Sequence, residues 1–149
     1  MAMSLTEKTF FKFYKGNIKF DIEENDRKWV HITCNAPMPN YRSENTQVSA
    51  VIRREFREQI PENRTHGRVY MIFVHHYNIH GRYVSDLDNF DDKPLSDAIT
   101  LRLLDGYEDT PSNVQWCRFS QKDETDYTEV WLIPYADFID WYKTQTFNP

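Results

Sequence analysis

Asp86 and Asp88 stand two residues apart in the stretch Val84-Ser85-Asp86-Leu87-Asp88-Asn89. On an extended backbone, residues i and i+2 point to the same side, so both carboxylates can face one cation. Closely spaced carboxylates repel each other, and a metal ion between them relieves that repulsion. Asn89 follows directly, then Lys93, then an apolar stretch of helical character beginning near Pro94. Carboxylates for a metal, an amide that can orient phosphate and an ammonium close by suit metal-assisted phosphate chemistry. The competing reading is an acidic helix start, in which the aspartates cap the following helix and complement its dipole. A calcium-stabilised loop over Asp86–Asp92 is a weaker third reading, because the regular ligand spacing of calcium loops is missing.

Glu108 and Asp109 form a second acidic pair beyond the helix that carries Asp97. If that helix returns the chain to the same end of the sheet, three or four carboxylates converge, enough for one or two Mg²⁺ ions. Otherwise the pair is a solvated loop. Asp97, one turn into the helix, reads as a structural anchor for Lys93 or a backbone amide. His75, His76 and His80 do not make a zinc site by spacing. Neighbours on a strand point to opposite faces, and no cysteine pair lies nearby. They line a phosphate path or simply occupy a strand end.

These residues need a frame. The alternation over Ile18–Ile22 and the Gly16-Asn17 turn predict an N-terminal hairpin with Phe10–Tyr14. Trp29 to Cys34 reads as a strand, followed by a proline-punctuated loop over 35–40. Ser43 or Asn45 can cap a helix running to about Ile60, with Val48, Val51, Ile52 and Phe56 on its apolar face and Arg53, Arg54 and Arg57 largely elsewhere. Val69 to His75 reads as a central strand. Pro94 suits the first turn of a helix ending near Leu104. Val114–Phe119 and Thr128–Ile133 read as a second hairpin across Lys122–Thr125, and Ala136–Thr144 as a short aromatic helix. Its stripe of Phe138, Ile139, Trp141 and Tyr142 suits core or dimer packing better than base stacking. The order implies a single α+β domain, with a mixed or antiparallel sheet and flanking helices.

The 149 residues suit one domain, and 40% hydrophobic with 15% aromatic residues is a globular composition. No apolar run reaches membrane-spanning length and no signal peptide is evident, so a cytoplasmic protein without a membrane partner is expected. Cys34 and Cys117 lie in strand-like stretches and read as buried free thiols, although two cysteines also permit one disulfide. Net charge is -5, which taken as an average opposes nucleic-acid binding. The distribution says more. Arg53, Arg54, Arg57, Arg64, Arg68 and Arg82 precede the aspartate-rich segment 83–113. A phosphate-cutting site needs both signs, carboxylates for metal and arginines for the nucleic-acid backbone.

From Trp29 to Tyr135 the chain resembles the RusA-type Holliday junction resolvases, small and often phage-encoded endodeoxyribonucleases. Their pattern is Asp-Leu-Asp-Asn, a lysine, Asp-Ala-Leu on a helix, then an acidic pair leading into Ser-Gln-Val. The matching residues are Asp86-Leu87-Asp88-Asn89, Lys93, Asp97-Ala98-Ile99, Glu108-Asp109 and Ser112-Asn113-Val114. The proline-bearing loop with Pro37 and Pro39 and the arginine-bearing helix also follow in family order.

The resemblance implies a homodimer that nicks two strands of a four-way DNA junction. Asp86, Asp88 and Asp109, with Glu108, would hold Mg²⁺ or Mn²⁺, and Lys93 would place a positive charge near the scissile phosphate. Arg53, Arg54, Arg57, Arg68, Arg82 and Asn89 would contact DNA. The chain departs from the pattern in several places, and Glu108 replaces one expected aspartate. One extra residue lies between Asn89 and Lys93. It is absorbed in the loop if the helix starts at Pro94; if the helix starts at Asp88, Lys93 is turned by about 100°. Two extra residues separate Asp109 from Ser112. The hairpin within 1–28 and the helix within 136–149 are additions. The alternative is a RusA-fold protein of phage or mobile-element origin that binds nucleic acid or protein without cutting.

Overall fold

The computed structural model describes residues 17–39, 46–78, 90–105 and 110–147. Its elements are β1 (Phe20–Glu24), β2 (Val30–Cys34), α1 (Thr46–Gln59), β3 (Val69–Tyr77), α2 (Lys93–Leu103), β4 (Val114–Lys122), β5 (Tyr127–Pro134), a 3₁₀ turn (Tyr135–Asp137) and α3 (Phe138–Thr144). The described strands form one mixed sheet in the order β1-β2-β5-β3-β4. Only β3 and β4 run parallel, paired from Val69↔Val114 to Tyr77↔Lys122. The fold is α+β, as composition and element order imply.

β3 is the spine, an apolar run whose side chains alternate between two cores. Val69, Met71 and Phe73 face α1 and α2, and are buried with Val51, Ile52 and Phe56 of α1 and Leu95 and Ile99 of α2. Ile72 and Val74 face the other way and pack with Ile133 and the buried Trp141 of α3. Phe119, Trp131, Phe138 and Phe147 close that second core as partly buried aromatics. Trp141 and Phe138 thus serve packing. Ile139 and Tyr142, of the same stripe, stay exposed.

The expected second hairpin does not form. β4 and β5 lie on opposite sides of β3. Residues 123–126 arch over the end of β3, where the Asp123 amide donates to the Tyr77 carbonyl at 2.8 Å. Asn78 fastens the arch from below, its amide donating to Asp126 Oδ1 at 2.9 Å and its side chain to the Glu124 carbonyl at 2.8 Å. The most apolar strand takes an interior place between β5 and β4, with both of its faces covered. The short link therefore strides over it.

The expected N-terminal hairpin falls only in part within the described residues. Its arm at 18–22 becomes β1, but β1 pairs with β2 in the register Phe20↔Cys34 to Glu24↔Val30. Its other arm, 10–14, lies outside the described residues. Both cysteines are free. No described helix is long and apolar enough to cross a membrane.

Candidate functional site

Helix α2 begins at Lys93, with Pro94 in its first turn, where a missing N–H costs nothing. The extra residue after Asn89 therefore precedes the helix and leaves its phase unchanged. Asp91 Oδ1 accepts from the Lys93 amide at 3.2 Å. Asp92 stands at the cap position but makes no side-chain cap hydrogen bond. Its carboxylate turns to the sheet. Arg118 Nε donates to Asp92 Oδ2 at 2.8 Å, and Arg118 Nη2 donates to the Phe90 carbonyl at 2.6 Å. His75 Nε2 lies 3.1 Å from Asp92 Oδ1 and 3.3 Å from Oδ2. A carboxylate only accepts, so Nε2 carries the proton it shares. The Phe90 ring stacks on His75 with centroids 4.3 Å apart. The Asp91 amide donates to the Pro39 carbonyl at 2.7 Å, which brings the proline loop to the same corner.

Lys93 is largely exposed, and its Nζ lies 3.6 Å from Asp97 Oδ1. Arg53 Nη2 reaches Asp97 Oδ2 at 3.6 Å. Asp97 thus anchors Lys93, as its place in the helix suggests, and couples it to α1. Behind this pair Arg53 and Arg57 line a cleft of about 620 Å³ between α1 and α2, together with Asp97, Glu62 and Arg102. Arg102 Nη2 donates to the Arg57 carbonyl at 2.6 Å, and its Nη1 lies 3.7 Å from Glu62 Oε2. Sequence reasoning missed Arg102. A lone cation in the last turn of a helix reads as a complement to the dipole, and only helix packing turns it into a cleft wall.

The other expected arginines lie apart. Arg54 pairs with Glu55 at 3.4 Å outside the cleft. Arg68 sits at the start of β3 with a left-handed φ of 54°. Its amide donates to Asn113 Oδ1 at 3.0 Å. A Cβ on Gly67 beside it would lie 2.7 Å from that same oxygen, so the Asn113 side chain would have to move away from this contact.

Asp86, Asp88, Asn89 and Arg82 fall in 79–89, and Glu108 and Asp109 in 106–109. Both segments lie outside the described residues. Their flanks are fixed. The first segment joins Asn78 to Phe90 at the end of β3 where His75 holds Asp92. The second joins Asp105 to Thr110. The Asp105 amide donates to the His66 carbonyl at 2.6 Å, and the Val114 amide to the Thr110 carbonyl at 2.9 Å. Those contacts lie at the opposite end of β3, because α2 runs antiparallel to it, as a crossover between parallel strands requires. Among the described residues no three His, Cys, Asp or Glu side chains gather to hold a metal.

The opposite face of the sheet carries a second polar group. Glu129 of β5 accepts from His31 Nε2 at 2.7 Å and also from His76 Nε2. Asp123 Oδ2 lies 3.0 Å from His76 Nδ1. Burial pushes the Glu129 carboxyl up, but the two histidine hydrogen bonds outweigh it and bring its pKa down to about 2. Burial, with Glu129 and Asp123 nearby, pushes the Tyr127 hydroxyl up to about 12. The ring of Tyr127 stacks on His76 at 3.8 Å. His75 and His76 thus point to opposite faces, each held by carboxylate, and His80 lies outside the described residues.

Compared with family models, curated proteins and solved structures, the chain matches none.

Proposed function

We propose that this protein is a metal-dependent, structure-selective endodeoxyribonuclease of the RusA type that nicks branched DNA as a homodimer in the cytoplasm. The observation that carries the reading is the start of α2. Lys93 stands exposed there, held through Asp97 to Arg53, directly after the segment that bears Asp86 and Asp88. In this reading Asp86 and Asp88, with Asp109 and Glu108, offer hard oxygen donors of the kind Mg²⁺ and Mn²⁺ prefer. Such an ion, when bound, supplies an activated water and stabilises charge on the scissile phosphate. Lys93 places its ammonium beside that phosphate. Arg53, Arg57 and Arg102 offer a cationic cleft for the flanking backbone. Asn89, Arg54, Arg68 and Arg82 extend the proposed DNA contacts.

One observation favours a second reading, a protein of this kind that grips a junction without cutting. The described residues on either side of 106–109 stand at the far end of β3 from Lys93, with the Asp105 amide tied there to the His66 carbonyl at 2.6 Å.

The test is nicking of a synthetic four-way junction, with linear duplex as control, in Mn²⁺, Mg²⁺ and EDTA. Metal-dependent, junction-selective nicking that is lost in Asp88→Asn is the expected result. Undiminished nicking by that variant would remove the site. Loss in Asp88→Asn but not in Asp109→Asn would limit the metal to the first pair. Junction binding without cutting would establish the second reading. Mn²⁺ should also raise the melting temperature of the wild type, in proportion to RT ln(1 + [Mn²⁺]/Kd), and not that of Asp88→Asn.

A further inference from the structure

Trp116 is 55% exposed, yet its ring is not free to swing. Its indole N–H donates to Met71 Sδ at 3.3 Å, a contact directly across the β3–β4 pairing. One edge of the ring is thereby pinned to the core while the rest stays open to solvent. Arg118, two residues on, lies on the same face of β4. The two side chains border a cavity of about 270 Å³, whose other walls are Phe73, Asp92, Lys93 and Ser96.

The chemistry of these walls is mixed in a telling way. Trp116 and Phe73 supply aromatic surface. Arg118 spends Nε and Nη2 on Asp92 and the Phe90 carbonyl, which leaves Nη1 without a hydrogen-bond partner among the described residues. Lys93 stands 72% exposed on the α2 side. A flat aromatic face beside two cations matches the two halves of a nucleotide: a base that stacks and a phosphate that pairs with positive charge.

We propose that the Trp116–Lys93–Arg118 cavity is a subsite for one unpaired nucleotide of a DNA strand, its base stacked on Trp116 and its phosphate held between Lys93 and Arg118. The proposal rests on the nucleic-acid reading above and deepens it. An unpaired base costs little to lay on such a face, whereas a base within linear duplex must first be unpaired and unstacked. A pinned indole is ready to receive such a base, because its ring loses little freedom on binding.

The test is the affinity for a short, 5′-fluorescein-labelled oligothymidine, measured by fluorescence anisotropy in EDTA, where no cutting occurs. Trp116→Ala should weaken binding about tenfold, as loss of one base–aromatic stack does. Trp116→Phe, which keeps an aromatic face, should stay within about threefold of the wild type. Tyr142→Ala removes another exposed aromatic from the other side of the sheet and should leave this binding unchanged. Melting temperatures of the three variants should match the wild type, so that a loss of binding reports the site and not the fold.

Wild-type affinity in Trp116→Ala, or no binding by the wild type, would overturn the subsite. So would an equal loss in Tyr142→Ala. Thymidine monophosphate binding as tightly as the oligonucleotide would overturn the assignment to a strand. The nuclease reading fails separately. Trp116-dependent binding in EDTA with no junction nicking in Mn²⁺ would keep the subsite and discard the cutting.

Discussion

Arg118 and Asp92, 26 residues apart in the chain, meet at 2.8 Å, and their meeting fixes where α2 begins. Asp92 is largely buried, and Arg118 also holds the Phe90 carbonyl. Removing the guanidinium leaves a buried carboxylate and a carbonyl short of a donor. Arg118→Ala should therefore cost about 1–3 kcal/mol of stability in urea denaturation. In a double-mutant cycle with Asp92→Ala the two losses should fall short of additive by about 1 kcal/mol. Strict additivity would mean that the pair does not act as one unit.

Glu129 governs the acid limb of stability. Its carboxyl is held at about 2 in the folded protein against 4.5 when unperturbed. The unfolded chain therefore takes up the proton first. The stabilisation is full above pH ~4.5 and is lost as pH falls toward 2, in all about 3 kcal/mol. His66 adds an earlier slope. Burial, opposed in part by Glu24, lowers its pKa below 6.5, so stability starts to fall once pH drops under that value. Glu129→Gln should be less stable at neutral pH and show a flatter curve between pH 4.5 and 2, read from urea midpoints across pH.

The cleft between α1 and α2 makes a prediction about salt. Each phosphate contact contributes about one unit to the slope of log affinity against log salt. Arg53→Ala and Arg57→Ala should each lower that slope for a four-way junction by about one. Arg54→Ala, whose side chain pairs with Glu55 outside the cleft, should lower it by less. Equal effects from all three would make the contact a diffuse surface and not a path.

Trp141 is fully buried against Trp131, with ring centroids 5.9 Å apart, and against Phe138 at 5.8 Å. Trp141→Ala should cost about 3–5 kcal/mol, the usual penalty for emptying an aromatic site. Ile139→Ser, on the exposed side of the same helix, should change stability by no more than about 0.5 kcal/mol. Thermal and urea unfolding of the two variants check both values.

Local pattern carried much of this protein. Val48, Val51, Ile52 and Phe56 recur at helical spacing because one helix face must be apolar to bury, and they are buried in α1. Pro94 marked the start of α2 because its ring suits a first turn and little else in a helix. The apolar run from Val69 announced a strand covered on both faces. The place of Asp97 one turn into the helix offered Lys93 or a backbone amide as its partner, and the structure shows Lys93.

Tertiary structure decided what spacing cannot encode. Two strands joined by four residues look like a hairpin, but β4 and β5 are parted by β3, because burial of the most apolar strand outweighs the short turn. Arg118 carries no local sign that it will hold Asp92, and Arg102 none that it will wall a cleft with Arg57. Both contacts join residues distant in sequence, and only the packing of α2 on the sheet and on α1 brings them within reach. Chain direction is set the same way. The parallel pairing of β3 with β4 obliges α2 to run back along the sheet, which sends the flanks of the two acidic segments to opposite ends of one strand.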